Sequence, residues 1–248
     1  MRHREAKIQG VSDLLRLLKK HVTPADVVWF RGQSDSRWGL VPSLARDAGK
    51  HLAKEGAIYK RFVQNATQLM TQAPTDEWDW LFVMQHHRAP TRLLDWSEGP
   101  LVALFFATFD SSKDRDDAAF WCLDPIALNT KANVSFAYEL ELPSFRDRAL
   151  ENYLPSRVDP KSPMNPVAAI GPRPTKRMAA QMGTFTVNHS VHEPIEALYD
   201  TKHVWKYIIP KDKKARIRAE LQHLGYSTLT LFPDIDEVAE LIKKEYLK

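Results

Sequence analysis

The longest uninterrupted apolar run in this chain is Leu101–Ala107 (LVALFFA), and its shortness limits the possible folds more than any other feature. A helix needs roughly 20 apolar residues to cross a bilayer. The apolar residues must therefore be buried by packing short elements on one another. Several runs read as short strands: Val27–Phe30, Ala118–Leu123, Gly183–Val187 and Val204–Ile209. Amphipathic stretches of helical period separate them. This alternation predicts an α+β protein, a mixed sheet flanked by helices. With 248 residues the chain is long enough for one large domain, and it is read as a single compact domain over residues 1–248.

Local signals refine the map. Ser12 is placed to cap a helix running to Lys20, and Thr75 to cap one carrying Trp78, Leu81, Phe82 and Gln85 that Pro90 ends. Residues 51–72 read as a helix with Ile58, Phe62, Ala66 and Leu69 on one stripe. Pro100 suits the first turn of a helix over Leu101–Phe109. Tyr138–Leu142 is ambiguous between element types. Six prolines between Pro155 and Pro174 predict a long loop or flap with no regular element. Ile217, Leu221 and Leu224 mark a helix stopped by Gly225. Ser227–Phe232 alternates like a strand, and Asp234 caps a last helix carrying Val238, Leu241 and Ile242.

The same residues exclude several chemistries. With 9 glycines and neither GxxxxGK[ST] nor GxGxxG, a phosphate-cradling glycine loop is not expected. One cysteine, Cys122, rules out a disulfide framework, and its apolar surroundings suit a core thiol. His86 and His87 would diverge by about 100 degrees on a helix, so no metal site is expected. No secretory leader is visible, and a cytoplasmic location without membrane association is expected. The formal charge of +4 is mild. Its densest basic run, Lys211–Arg218, reads either as a solvated helix face or as an anion or nucleic-acid patch.

Three polar segments stand out. Gln85–Trp96 (QHHRAPTRLLDW) places Gln85, His86, Thr91, Arg92 and Asp95 beside the core anchors Leu93, Leu94 and Trp96. Polar groups so tethered must satisfy one another or a ligand. An Arg92–Asp95 pair stapling the loop is one reading, and a ligand site is the other. In the second segment, Arg31 ends a buried strand. There it needs either a carboxylate or an anionic ligand, and Gly32 would admit a close approach. In the third, Arg177 and Gln181 would share a helical face before Gly183, or mark an ordinary helix-to-strand turn.

The motifs WFRGQSDSRWGLVPSLAR, QHHRAPTRLLDWSEGPLVALFFA and RMAAQMGTFTV, with the ending GYSTLTLFPDIDEVAELI, resemble the FRG domain family, named for its Phe-Arg-Gly signature. Arg88 stands where that pattern suggests a small residue. The order of strand–Arg–Gly, a Thr-containing segment, and a polar residue before a late strand is also similar to the ADP-ribosyltransferases. That likeness implies an ADP-ribosyltransferase-like fold and NAD as co-substrate. It assigns phosphate binding to Arg31, a nicotinamide pocket to Thr91 and its loop, and stacking to Trp96 or His86. Gln181 would take the position of the catalytic Glu. The catalytic candidates are thus Gln181, Thr91 and Asp95, with Asp95 able to supply the charge that Gln181 lacks. The cofactor-binding candidates are Arg31, Gly32, Gln85, His86, Arg92, Trp96 and Arg177. The resulting expectation is an NAD- or nucleotide-utilising transferase, a toxin or phage-defence effector modifying a protein or nucleic acid. The alternative is a non-catalytic nucleotide- or nucleic-acid-binding module.

Overall fold

The computed structural model describes residues 6–47, 49–132, 141–190 and 193–247. It is an α+β fold built on one six-stranded sheet of order β4-β5-β2-β1-β3-β6. The strands are β1 (Trp29–Gln33), β2 (Leu93–Ser97), β3 (Ala118–Leu123), β4 (Val167–Ala169), β5 (Gly183–Val187) and β6 (Val204–Ile209). Every strand pair is antiparallel, where a mixed sheet was expected. Parallel pairing among the described residues is confined to isolated bridges at Lys7–Ile208 and Ser144–Ile170.

Nine helices are described: α1 (Val11–His21), α2 (Glu55–Ala66), α3 (Glu77–His86), α4 (Pro100–Thr108), α5 (Pro125–Lys131), α6 (Lys176–Ala180), α7 (Lys214–His223), α8 (Thr228–Leu231) and α9 (Ile235–Tyr246). One cluster gathers Leu14, Leu17, Val102, Leu104, Ile217 and Leu221 over Phe30, Phe120 and Tyr207. A second gathers Trp78, Leu81, Phe82 and Met84 over Leu93, Phe185 and Val187. The pairing of Phe30 with Ser97 puts Phe30, Leu93, Asp95 and Ser97 on the same face by strand alternation. The two clusters therefore lie side by side, with a seam between α4 and α3. The opposite face buries Trp29, Leu94, Trp96, Trp121 and Leu128. Trp29 and Trp121 are among the largest fully buried side chains. Each such burial contributes about 1.5–3 kcal/mol.

Several local expectations are corrected. Ser12 is inside α1, whose cap position is Gly10. The first amide, of Val11, instead donates to Glu220 of α7 at 2.7 Å. Asp76, not Thr75, caps α3 by accepting from the Asp79 amide at 2.8 Å. The 51–72 helix is shorter, with α2 flanked by 3-10 turns, and Leu69 at its end is exposed. Leu224 is likewise exposed, whereas Ile217 and Leu221 are buried.

Ser227–Phe232 forms no strand. The Ser227 hydroxyl accepts from the Thr230 amide and starts α8, so a local cap overrides the alternating pattern. The proline stretch does hold an element, β4, which survives as an edge strand paired among the described strands only to β5. Its free edge is met by Asn129, whose amide donates to the Ala168 carbonyl at 2.9 Å and accepts from its N–H at 2.7 Å. Tyr138–Leu140, most of the ambiguous Tyr138–Leu142 segment, lies outside the described residues. Among the described residues no helix is long and apolar enough to cross a membrane.

The basic run Lys211–Arg218 is partly turned inward, with Lys211 and Arg216 exposed. Lys214 is fully buried, and its ammonium donates to the carbonyls of Ser34 (2.7 Å) and Lys113 (2.6 Å). Arg218 pairs with Asp114 and donates to the Thr108 carbonyl. Two of the charges that a nucleic-acid patch would need are thus committed to holding the loops.

Candidate functional site

The site forms at the seam, where β1 and β2 part. These strands pair only at Phe30–Ser97. Beyond that point the Arg31 guanidinium fills the gap, its Nη1 donating to the Asp95 carbonyl at 2.6 Å. Arg31 is half-buried, and its Nε atom is sealed from solvent with no hydrogen-bond partner. Desolvation pulls its pKa down, the nearby Arg46 adds to this, and Asp95 opposes it.

A cavity of about 380 Å³ opens here. Arg31, Gly32, Gln85, Asp95, Trp96, Arg177 and Gln181, seven of the sequence-derived candidates, line it together. So do Arg46 and Arg88, whose guanidinium groups have no hydrogen bond or ion pair among the described residues, along with Phe106 of α4. Among the described residues four arginines thus share the cavity with a single carboxylate. Arg177 has its pKa lowered by desolvation and then by Arg88, with Asp95 and Asp234 opposing. Its guanidinium lies over the Phe232 ring at 4.7 Å and donates to the His86 carbonyl at 3.4 Å. Cations so crowded favour an anionic ligand.

The carboxylate is held by a short chain of bonds. The buried Thr91 hydroxyl accepts from the Leu93 amide, which leaves its single proton for Gln85 Oε1. That contact fixes the Gln85 amide so that Nε2 donates to Asp95 Oδ2 at 2.6 Å. Thr91 is therefore a positioning residue and does not line the cavity.

Other candidates have different roles. Arg92 does not pair with Asp95 and does not line the cavity. It is buried against Glu55 of α2, forming a bidentate pair, and it also donates to the carbonyls of Asn188 and His189. Residues 92 and 95 are on opposite sides of the β2 backbone by alternation, and a buried guanidinium takes the carboxylate within reach. The Trp96 indole belongs to the core with Trp29 and Trp121, and its Nε1 donates to the Thr186 hydroxyl at 3.1 Å. His86 is beside the cavity rather than in its lining. Its Nδ1 is buried without a partner, and desolvation, then Arg177 and His87, lower its pKa. Gln181 lines the cavity, but its amide nitrogen donates to the Leu231 carbonyl at 2.9 Å, tying α6 to α8. Gly32 admits backbone rather than ligand. A Cβ there would lie 1.8 Å from the Ala103 carbonyl oxygen of α4.

Arg46 and Arg88 were missed as site residues. Arg88 did carry a signal. It follows α3 in the left-handed region at φ 62°, a conformation that favours small residues. The proline segment 155–174 contributes nothing to the cavity's lining. Among the described residues no cluster of three or more His, Cys, Asp or Glu is placed to hold a metal ion.

The FRG domain family model matches residues 26–116. The chain carries an FRG domain. This FRG region supplies β1, α2, α3, β2 and α4, and with them Arg31, Arg46, Gln85, Arg88 and Asp95. Arg177 and Gln181 come from beyond it. No curated protein and no solved structure matches the chain.

Proposed function

We propose that the protein binds a phosphate-bearing nucleotide in this cavity and uses NAD as the donor in ADP-ribosyl transfer. The observation that carries the reading is the convergence of Arg31, Arg46, Arg88 and Arg177 on one cavity, with Asp95 as its single carboxylate among the described residues. Arg46 and Arg88, without side-chain partners among the described residues, would take the phosphate oxygens, and Arg31 would add its positive charge. Asp95, oriented by Gln85, would face the positive charge that develops at the ribose C1′. In that step the bond from C1′ to the nicotinamide nitrogen breaks. Its electron pair leaves with nicotinamide, and C1′ bonds to a nucleophile on the acceptor, which releases its proton to solvent. A protein or nucleic acid would be the acceptor, and water would give simple hydrolysis.

The test is incubation of the purified protein with NAD, following nicotinamide release chromatographically beside Asp95→Asn. Release by the wild type and its loss in the variant support the reading. A second reading, a non-catalytic nucleotide- or nucleic-acid-binding module, is favoured by the commitment of Gln181 to Leu231. Calorimetric binding of NAD without nicotinamide release would select it.

A further inference from the structure

A second cavity, of about 620 Å³, adjoins the first and shares Arg31, Gly32, Arg46 and Phe106 with it. The two differ in chemistry. The first is lined by charged groups. Beyond the shared wall the second adds Trp38, Val41, Ala45 and Pro194, with Ser34 and Asp47 as further polar members. Of its polar side chains, Gln33 is already committed, donating to the Gly39 carbonyl at 3.1 Å and accepting from the Trp121 indole at 2.7 Å. Trp38 is 45% exposed, an unusual state for an indole at a cavity wall, and the Lys113 ammonium lies 5.5 Å over one face of its ring.

We infer that this second cavity is the subsite for the heterocyclic base of the same nucleotide. This rests on the phosphate reading of the first cavity and adds the part of the ligand that would give selectivity. Both cavities fall in the size range of small-molecule sites, and the second has ample room for a base. Arg31 and Arg46, in the shared wall, stand where charge must give way to an apolar surface. A planar base can lie against Trp38 or Phe106 while its phosphates stay among the arginines, because base–aromatic stacking tolerates many bases and requires no free hydrogen-bonding group. An anion without a ring would leave the larger cavity unused.

The experiment compares AMP with ribose 5-phosphate, which differ only by the base, using calorimetry on wild type, Val41→Trp and Trp38→Ala. Val41→Trp fills the cavity from a half-buried position, and Trp38→Ala truncates a side chain exposed enough not to endanger folding. Wild type should bind AMP about tenfold or more tightly than ribose 5-phosphate. Both variants should narrow that ratio and leave ribose 5-phosphate binding unchanged. Equal affinities in wild type, or an undiminished ratio in both variants, overturn the base subsite. If ribose 5-phosphate fails to bind but AMP binds and is weakened by Val41→Trp, the phosphate reading falls and the base subsite stands. If neither compound binds, both fall.

Discussion

Arg31 donates to the backbone carbonyl of Asp95, not to its carboxylate, at 2.6 Å across the parting of β1 and β2. The distinction sets how the residue should respond to mutation. A guanidinium held by a carbonyl leaves no buried unpaired carboxylate when it is removed. Arg31→Ala should lower stability by only about 1–3 kcal/mol, the cost of an unsatisfied carbonyl. Arg31→Lys keeps the charge but loses the planar fork, so NAD or ADP-ribose affinity should fall about tenfold or more. Thermal melts and titration calorimetry on the same preparations measure both. A melted Arg31→Lys, or one with undiminished binding, would assign Arg31 to the scaffold alone.

The buried Arg92–Glu55 pair should dominate stability within the QHHRAPTRLLDW segment. Both side chains are almost fully buried, so Glu55→Ala strands a guanidinium in the core and should cost about 3–5 kcal/mol. Asp95→Ala removes an exposed group bonded, among the described residues, by Gln85 alone and should cost about 1 kcal/mol or less. Urea unfolding of both variants ranks them, and a larger loss for Asp95→Ala would contradict the observed pairing.

Gly32 should not tolerate even alanine. A Cβ would meet the backbone of α4 at Ala103 O (1.8 Å) and Ala107 N (2.4 Å), atoms that cannot turn aside as a side chain can. Gly32→Ala should therefore destabilise by about 3 kcal/mol or more. Circular dichroism melts suffice to check it, and a variant as stable as wild type would mean that α4 can move off β1.

Three histidines make stability depend on pH. Desolvation lowers the pKa of His86, His189 and His203 below the ordinary imidazole value of about 6.5. The unfolded chain therefore binds protons at a higher pH than the folded one. Stability should be complete above about pH 6.5 and fall as the pH drops from there toward the folded-state values. His203 is fully buried, with Nε2 donating to the Ile195 carbonyl and Nδ1 unpartnered, so a second ring proton there would find no acceptor. Melting temperatures between pH 7.5 and 5.5 should show the decline, and a flat profile would remove the histidines from the account.

The sheet was legible where burial leaves an unmistakable pattern. Ala118–Leu123, Gly183–Val187 and Val204–Ile209 are strands over the residues their apolar and β-branched content marks out, and Pro100 fixes the start of α4. Ser227–Phe232 misled because a serine cap competes with alternation, and β4 was hidden because edge strands accept flanking prolines. In the site, Arg31, Gln85 and Asp95 could be found because each is next to core anchors in sequence, and Arg177 and Gln181 because their four-residue spacing before Gly183 puts them on one helical face. Arg46 could not, since it follows Leu44 and Ala45 in a segment that reads as an ordinary polar loop. Glu55 was also hidden, because an acidic residue in a first helical turn looks like a favourable dipole contact until Arg92 is seen against it.

The four arginines of the cavity come from β1, the segment after it, the turn after α3, and α6, so the unfolded chain contains no equivalent of the site. Any compound that fills it must add its binding free energy to that of the fold. At a hundred times its dissociation constant a ligand contributes about 2.7 kcal/mol. For a chain of this size that is a rise in melting temperature of roughly 5–10 °C. The melting curve is therefore an assay in itself, and phosphate-bearing metabolites can be ranked against this protein before any reaction is known.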